Sequence, residues 1–403
     1  MPRPAAPSPR TWLLAVFIAM LAPLLVVGPA ATARAQGVTG DTIVLGTTTP
    51  MSGPASFFKD ITMSAQAYFT YVNEQGGVHG RKIKLLVRDD GYQPAQTIGL
   101  VRELAEKEQV FAFVAPIGVN PVLAISDYVT EQKIPVLAAA AGGSQLSDPL
   151  RRYIFPALLR YDFCGKYMAD FAAQRLGAKR IAVFYQNDAV GQDLLKGALP
   201  ELKKRGLAFA AEASYQAKET DVSAQVLALK KAEPEVVLMF SISGQTANFL
   251  KTAYQLGWKP KFVLAPFNTD PVTIKLAGSP EAAEGVYSML NTPLPDSDSP
   301  KVVQYREIMK KYAPDVRIGT LSINGMGEAQ IAVESLRRAG RDLTRERLLA
   351  AAETLRDWDG SVFGWVRFTP TSHLGTVSAG MAIAKGGQWV ELEPVKIIPG
   401  LPD

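Results

Sequence analysis

From Ile43 onward, short apolar runs rich in β-branched residues alternate with longer amphipathic segments, and the alternation stops once and then begins again. Strands are predicted at Ile43–Thr48, Ile83–Arg88, Val110–Ala115 and Ile134–Leu137. Helices at Phe57–Gly76, Gln93–Glu108 and Asn120–Glu131 separate them, and each connection is long enough for the crossover that two parallel strands require. The polar stretch Asp148-Pro149-Leu150-Arg151-Arg152 ends this series. The second series has strands at Arg180–Tyr185, Val236–Phe240 and Phe262–Leu264, with helices at Tyr161–Leu176, Asp188–Lys204, Asp221–Ala232 and Gln245–Leu256. Such a rhythm specifies parallel sheets covered on both faces, hence an α/β fold, and its repetition predicts two Rossmann-like lobes. Residues 297–355 read as mostly helical, and Val377–Ile398 as strands around a turn at Gly386-Gly387.

The amino-terminal segment is of another kind. Arg3 and Arg10 precede an apolar run from Trp12 to Val27, and Ala33-Arg34-Ala35 offers a small-residue cleavage site. This pattern predicts a secretory signal peptide over residues 1–35 and a mature protein exported to the periplasm. Of the 43 basic residues, Arg3, Arg10 and Arg34 lie in that leader, which has no acid, so the remainder is nearly balanced against 38 acidic side chains. No basic stripe with interleaved aromatics points to nucleic acid. Cys164 is the one cysteine. It cannot form an intramolecular disulfide, and it is predicted to be a buried small hydrophobe.

Catalysis finds little support in the residues. His79 and His373 are the two histidines, each in a turn-like setting, and no nucleophile, base and acid fall in a recognisable order. G-x-S-x-G, P-loop, G-x-G-x-x-G, paired CxxC and H-E-x-x-H patterns are absent from the sequence. No enzyme activity, cofactor or metal is expected. Asp89-Asp90 reads as a pair of solvated turn residues, and Asp221 as a helix N-cap.

Binding chemistry is expected instead in the loops that follow the strands, because open α/β sheets bind ligands beyond the carboxyl ends of their strands. Five loops qualify: Met51–Phe58, Pro116–Asn120, Ala138–Gly143, Phe240–Gly244 and Ala265–Asp270. Small residues at Ile117-Gly118-Val119 and Ala140-Ala141-Gly142 allow close backbone approach, with free N–H groups for an anion, or else reflect tight packing. Phe57, Phe58, Tyr161 and Phe267 either line an apolar slot or belong to the lobe cores. Ser52, Asn120, Asn268 and Asn324 are candidate polar partners for a solute.

Six stretches, in order, carry a resemblance. They are Pro50-Met51-Ser52-Gly53-Pro54; Asn73-Glu74-Gln75-Gly76-Gly77-Val78-His79-Gly80-Arg81; Asp89-Asp90; Tyr185-Gln186-Asn187-Asp188 with Gly191; Asp221-Val222-Ser223-Ala224-Gln225; and Leu256-Gly257-Trp258-Lys259-Pro260. Over nearly its whole mature length the chain resembles periplasmic ABC-transporter solute-binding proteins of the branched-chain amino acid (Leu/Ile/Val-binding) type.

The resemblance implies a type I periplasmic-binding fold with a multi-strand hinge. It places 37–157 plus 290–358 in the N-terminal lobe and 158–289 plus 359–403 in the C-terminal lobe. It implies a monomer that captures a small molecule and presents it to ABC permease subunits; a ligand-sensing receptor domain for a signalling partner is the alternative. Relatives that bind amino acids use hydroxyls in the first lobe and an acid in the second. Here those positions fall on Val119, Asn120, Gly142 and Phe267, with Asp270 nearby as an alternative acid. This departure predicts a small organic acid with an apolar body and no free α-amino group as ligand.

Overall fold

The structure, a computed structural model, describes residues 1–2 and 35–402; the expected signal peptide lies outside the described residues except at its ends. Strands β1 (Thr42–Thr49), β2 (Lys82–Asp89), β3 (Ala112–Val114), β4 (Val136–Ala139) and β5 (Ile154–Pro156) form a five-stranded sheet in the order β2-β1-β3-β4-β5. Its ladders are all parallel. Helices α1 (Lys59–Glu74), α2 (Pro94–Glu106) and α3 (Val119–Glu131) make the crossovers.

The second sheet begins with β6 (Ile181–Gln186), flanked by α4 (Tyr161–Asp170) and α5 (Ala189–Lys203). It continues through β7 (Phe209–Tyr215), α6 (Ser223–Lys231), β8 (Val236–Phe240), α7 (Ser243–Gln255) and β9 (Lys261–Leu264). Then come α8 (Pro271–Leu276), α9 (Pro280–Ala283) and β10 (Tyr287–Leu290). The chain next builds α10 (Pro300–Tyr312), α11 (Thr320–Ala339) and α12 (Arg345–Ala352), followed by the small sheet β11 (Trp358–Ser361), β12 (Gly364–Thr369) and β13 (Ser372–Thr376). It closes with β14 (Ser378–Lys385) and β15 (Gln388–Ile397), which add antiparallel strands to the second sheet, order β15-β14-β10-β9-β8-β6-β7. Gly386 and Gly387, with φ of 56° and 80°, make the tight hairpin between them.

Three apolar cores hold this arrangement. One packs α1, α10, α11, α12 and the three-stranded sheet against a face of the first sheet, and another fills the outer side of the second sheet around Phe184, Phe249 and Trp389. The third runs without a break from Val101, Leu104 and Val122 of the first half to Val183, Leu194 and Leu238 of the second.

Three expectations need correction. Asp90 is not solvated: it is fully buried, accepting from Tyr92 N–H and Thr97 Oγ1 (both 3.0 Å). Asp89 is the exposed member, holding Met51 N–H at 2.9 Å. Asp221 sits one residue before the N-cap Val222, although its carboxylate still accepts from Ser223 N–H at 2.9 Å. His373 lies within β13 rather than in a turn, stacked on Phe155 with centroids 3.8 Å apart.

Two consequences are measurable. In α11 a Cβ on Gly325 would drive into the carbonyl oxygen of Ile61 in α1, so these helices touch backbone to backbone. Gly325→Ala is expected to destabilise the protein by roughly 1–3 kcal/mol through overpacking, reversing the ~1 kcal/mol that alanine gains over glycine in a helix interior. Denaturant unfolding decides this, and a more stable variant would refute the close packing.

His373 donates through Nδ1 to the Ile154 carbonyl at 2.8 Å, and burial pushes its pKa down to about 4. Unfolding returns it to about 6.5, so its neutral form stabilises the fold fully above that value, and this contribution is lost as pH falls towards 4. Between about pH 7 and about pH 4.5, the wild type should lose roughly 2–3 kcal/mol more stability than His373→Gln. Equal losses would show that another group carries the acid sensitivity.

Candidate ligand-binding cleft

In the first sheet the chain moves outward in both directions from β1 and β3, and in the second from β6 and β8. A crevice opens beyond the strand ends at such switch points. The loops there meet around a small cavity of about 30 Å³, roughly the space of one water. Phe58, Ile61 and Tyr92 line it from the β1 and β2 ends, and Ile117, Gly118, Val119, Ala140, Leu158 and Tyr161 from the remaining first-sheet loops. Val190, Ile242 and Phe267 close it from the second sheet, with Leu321 and Asn324 reaching in from α11.

Eight of the sequence candidates therefore converge: Phe58, Ile117, Gly118, Val119, Ala140, Tyr161, Phe267 and Asn324. Gly118 has φ of 100°, and the Tyr92 ring occupies the place a Cβ would need. Tyr161 packs edge-on to Phe267 with centroids 5.6 Å apart. Asn324 is 4% exposed, and its Oδ1 has no hydrogen-bond partner.

The other candidates lie beside the cavity. Ser52 is exposed near Asp89. Phe57 packs at a tilt against Phe58, with centroids 4.5 Å apart, in the second layer of the wall. Ala141 is buried, and Gly142 gives its carbonyl to Tyr161 N–H (2.7 Å) beneath the tyrosine ring. Asn268 is fully buried, donating to the Ser241 carbonyl at 2.7 Å.

The free backbone donors expected near Gly118 and Ala140 are in fact engaged. Gly118 N–H donates to the Ala140 carbonyl (3.1 Å), Ala140 N–H to Pro116 (3.0 Å) and Ala141 N–H to Ala139 (2.7 Å). This leaves the first turn of α3, where Val119 and Asn120 N–H have no acceptor within the helix. Ile61, Tyr92, Leu158, Val190, Ile242 and Leu321 were not anticipated. The loop after β8, which holds Ile242, was legible as a strand-end loop; the helical positions were not.

Three carboxylates of the second half reach across the cleft. Asp193 accepts from Ser144 N–H at 2.7 Å and from Ser144 Oγ, while Lys196 Nζ lies 3.2 Å from that hydroxyl. Asp188 accepts from Asn120 Nδ2 at 2.7 Å while capping α5 through Val190 N–H. Asp270 caps α8 through Val272 N–H (2.9 Å) and accepts from Leu321 N–H (3.1 Å). Arg317 stands between Asp270 and Asp60. Burial pushes the Asp193 and Asp270 carboxyls up, opposed by these hydrogen bonds. Asp270 is thus spent on the interface and does not line the cavity.

Two parallel α/β bodies that meet at their strand ends around an apolar cavity define a two-lobed binding protein. A model of the periplasmic binding protein family matches residues 42–388, and the chain belongs to that family. It is 27% identical to Leu/Ile/Val-binding protein homolog 7 of Brucella abortus over 73% of this chain and 77% of that one. It is 24% identical to an amino acid binding protein of Pseudomonas aeruginosa, over 60% of this chain and 66% of that one. Among solved structures, a fatty acid ABC transporter substrate-binding protein from Thermomonospora curvata superposes with a TM-score of 0.84 at 25% identity, covering 92% of this chain and 96% of that one. Among the described residues no cluster suited to a metal occurs, and no helix is long and apolar enough to cross a membrane.

Removing the Asp193 carboxylate leaves Ser144 N–H unpaired in the closed cleft but hydrated in an open one, which costs the closed form roughly 1–3 kcal/mol. Asp193→Ala should therefore show a larger radius of gyration by small-angle scattering than the wild type, with unchanged helix content. An identical profile would mean that this contact does not hold the lobes together.

Proposed function

We propose that this protein captures a small apolar organic acid between its lobes and delivers it to the permease subunits of an ABC importer, working in the periplasm as a monomer and catalysing nothing. The observation that carries the ligand class is the lining of the cleft: apolar side chains, two tyrosines and one asparagine, with no acid to pair an α-ammonium group. An unpaired buried ammonium is strongly disfavoured. A carboxylate is served by the first turn of α3, the unpartnered Asn324 Oδ1 can accept from a hydroxyl of the solute, and the rings of Phe58, Tyr161 and Phe267 suit an apolar body. The names of the Brucella and Thermomonospora relatives both denote ligands with apolar bodies.

The lobes follow the expected division, 37–157 plus 290–358 against 158–289 plus 359–403, except that the three-stranded sheet at 358–376 is assigned to the first lobe because it shares that lobe's core. A solute that touches both lobes only when they are together drives closure by its differential affinity. Ser52, Phe57, Asn120, Ala141, Gly142 and Asn268 then support the wall from behind.

Titration calorimetry on protein refolded free of carried-over solute tests the ligand class, using leucine, 4-methyl-2-oxopentanoate and benzoate. Binding of one of the two acids, with leucine at least about a hundredfold weaker, is expected, since a buried unpaired charge costs several kcal/mol. Tight leucine binding without either acid would overturn the assignment.

A further inference from the structure

A larger cavity lies elsewhere. It measures about 540 Å³, within the range of small-molecule sites, and opens between α8, the β14–β15 hairpin and the segment leading into α10. Pro271, Ile274, Leu294 and the indole of Trp389 form apolar walls, and Ile318 closes one side. Arg306 supplies a cation. Its Nη1 donates to the Pro295 and Ser297 carbonyls, both at 2.8 Å, which fixes the guanidinium at the wall and leaves its other nitrogens as donors. Asp296, at the exposed rim, is the acid among the lining residues.

The walls come from both lobes. Ile274, Leu294 and Trp389 belong to the outer core of the second sheet. Arg306 sits on α10, and Ile318 follows Val316; α10 and Val316 pack into the core of the first sheet. Trp389 Nε1 also donates to the Asp270 main-chain carbonyl at 3.3 Å, directly behind the carboxylate that holds Leu321. A molecule seated here touches both bodies and one of the contacts that keep them together.

We infer that this cavity is a second ligand site, selective for a small aromatic anion, whose occupancy shifts the balance between open and closed lobes. The ring is favoured by the indole and the two proline faces, and the anionic group by the fixed guanidinium. Because the site spans the lobes, a ligand with different affinity for the two forms must shift their populations.

The probe is 1-anilinonaphthalene-8-sulfonate, an aromatic sulfonate that fluoresces in apolar surroundings, titrated into the full-length mature protein. Arg306→Gln removes the cation, and Ile318→Glu places an acid at a position that is 39% exposed and tolerant of charge. Each is expected to weaken probe binding roughly tenfold or more, as loss of a charge-assisted bond does. Phe267→Ala, in the interlobe cleft, removes no group of this site and should weaken probe binding far less than either variant. Scattering on the wild type should show a shifted radius of gyration at saturating probe, and no shift in Ile318→Glu. Unchanged affinity in both rim variants, or loss of binding in Phe267→Ala alone, would place the probe elsewhere and overturn the inference. Thermal unfolding of the free variants identifies any that fail to fold, and Ile318→Glu then decides by itself.

Discussion

Parallel pairing is the constraint from which the rest follows. Two parallel strands cannot be joined by a short turn, so α1, α2 and α3 cross the faces of the first sheet between its strands, and both faces become core. The strand ends are the remaining place where backbone and side chains are free to meet a solute. Two such sheets set end to end make a cleft whose walls are loops but whose positions are fixed by strands. Ile117, Val119 and Ile242 are held at the cavity by the ladders of β3 and β8 together with their packing in the core that joins the two sheets.

The division of labour between apolar and acidic groups in the cleft is physically consistent. A carboxylate facing an apolar cavity would have to be paired or protonated, and each acid near this cleft is instead turned towards a donor of the opposite lobe. Asp270 shows how sequence proximity misleads. It stands two residues beyond Asn268, yet capping α8 rotates its carboxylate away from the solute space and towards Leu321. The acids act as adhesive between lobes, which leaves the solute space to apolar side chains.

Much of this was legible in the sequence. The β-branched runs that became β1, β6 and β8 are largely buried on both faces, so hydrophobicity marks them, and the loops that follow β1 and β8 could be found by counting. The strand β7 was missed because Phe209–Tyr215 lies at a sheet edge, half-exposed and rich in alanine. The three-stranded sheet was missed because Gly, Ser and Thr dominate its strands, and its burial comes from packing on another element. Within the cleft, aromatic residues in strand-end loops were visible, whereas Ile61 and Leu321 look like any apolar position of an amphipathic helix. Which helical residue faces the cavity depends on how α1 and α11 are set against the sheet, and that distance is fixed by Gly325 rather than by a pattern in either helix.

The order of the chain has a bearing on how the protein is made. All five strands of the first sheet have been synthesised by Pro156, but α10, α11, α12 and the small sheet, which cover much of one of its faces, come only after Ser299. A chain emerging from the ribosome must carry that face partly bare while strands β6 to β10 of the second sheet are produced. Exposed apolar surface and unpaired edges in such an intermediate invite aggregation, and long-range contacts of this kind close slowly. The interval from the appearance of β5 to that of α11 is therefore the one in which this chain's folding is most exposed to side reactions.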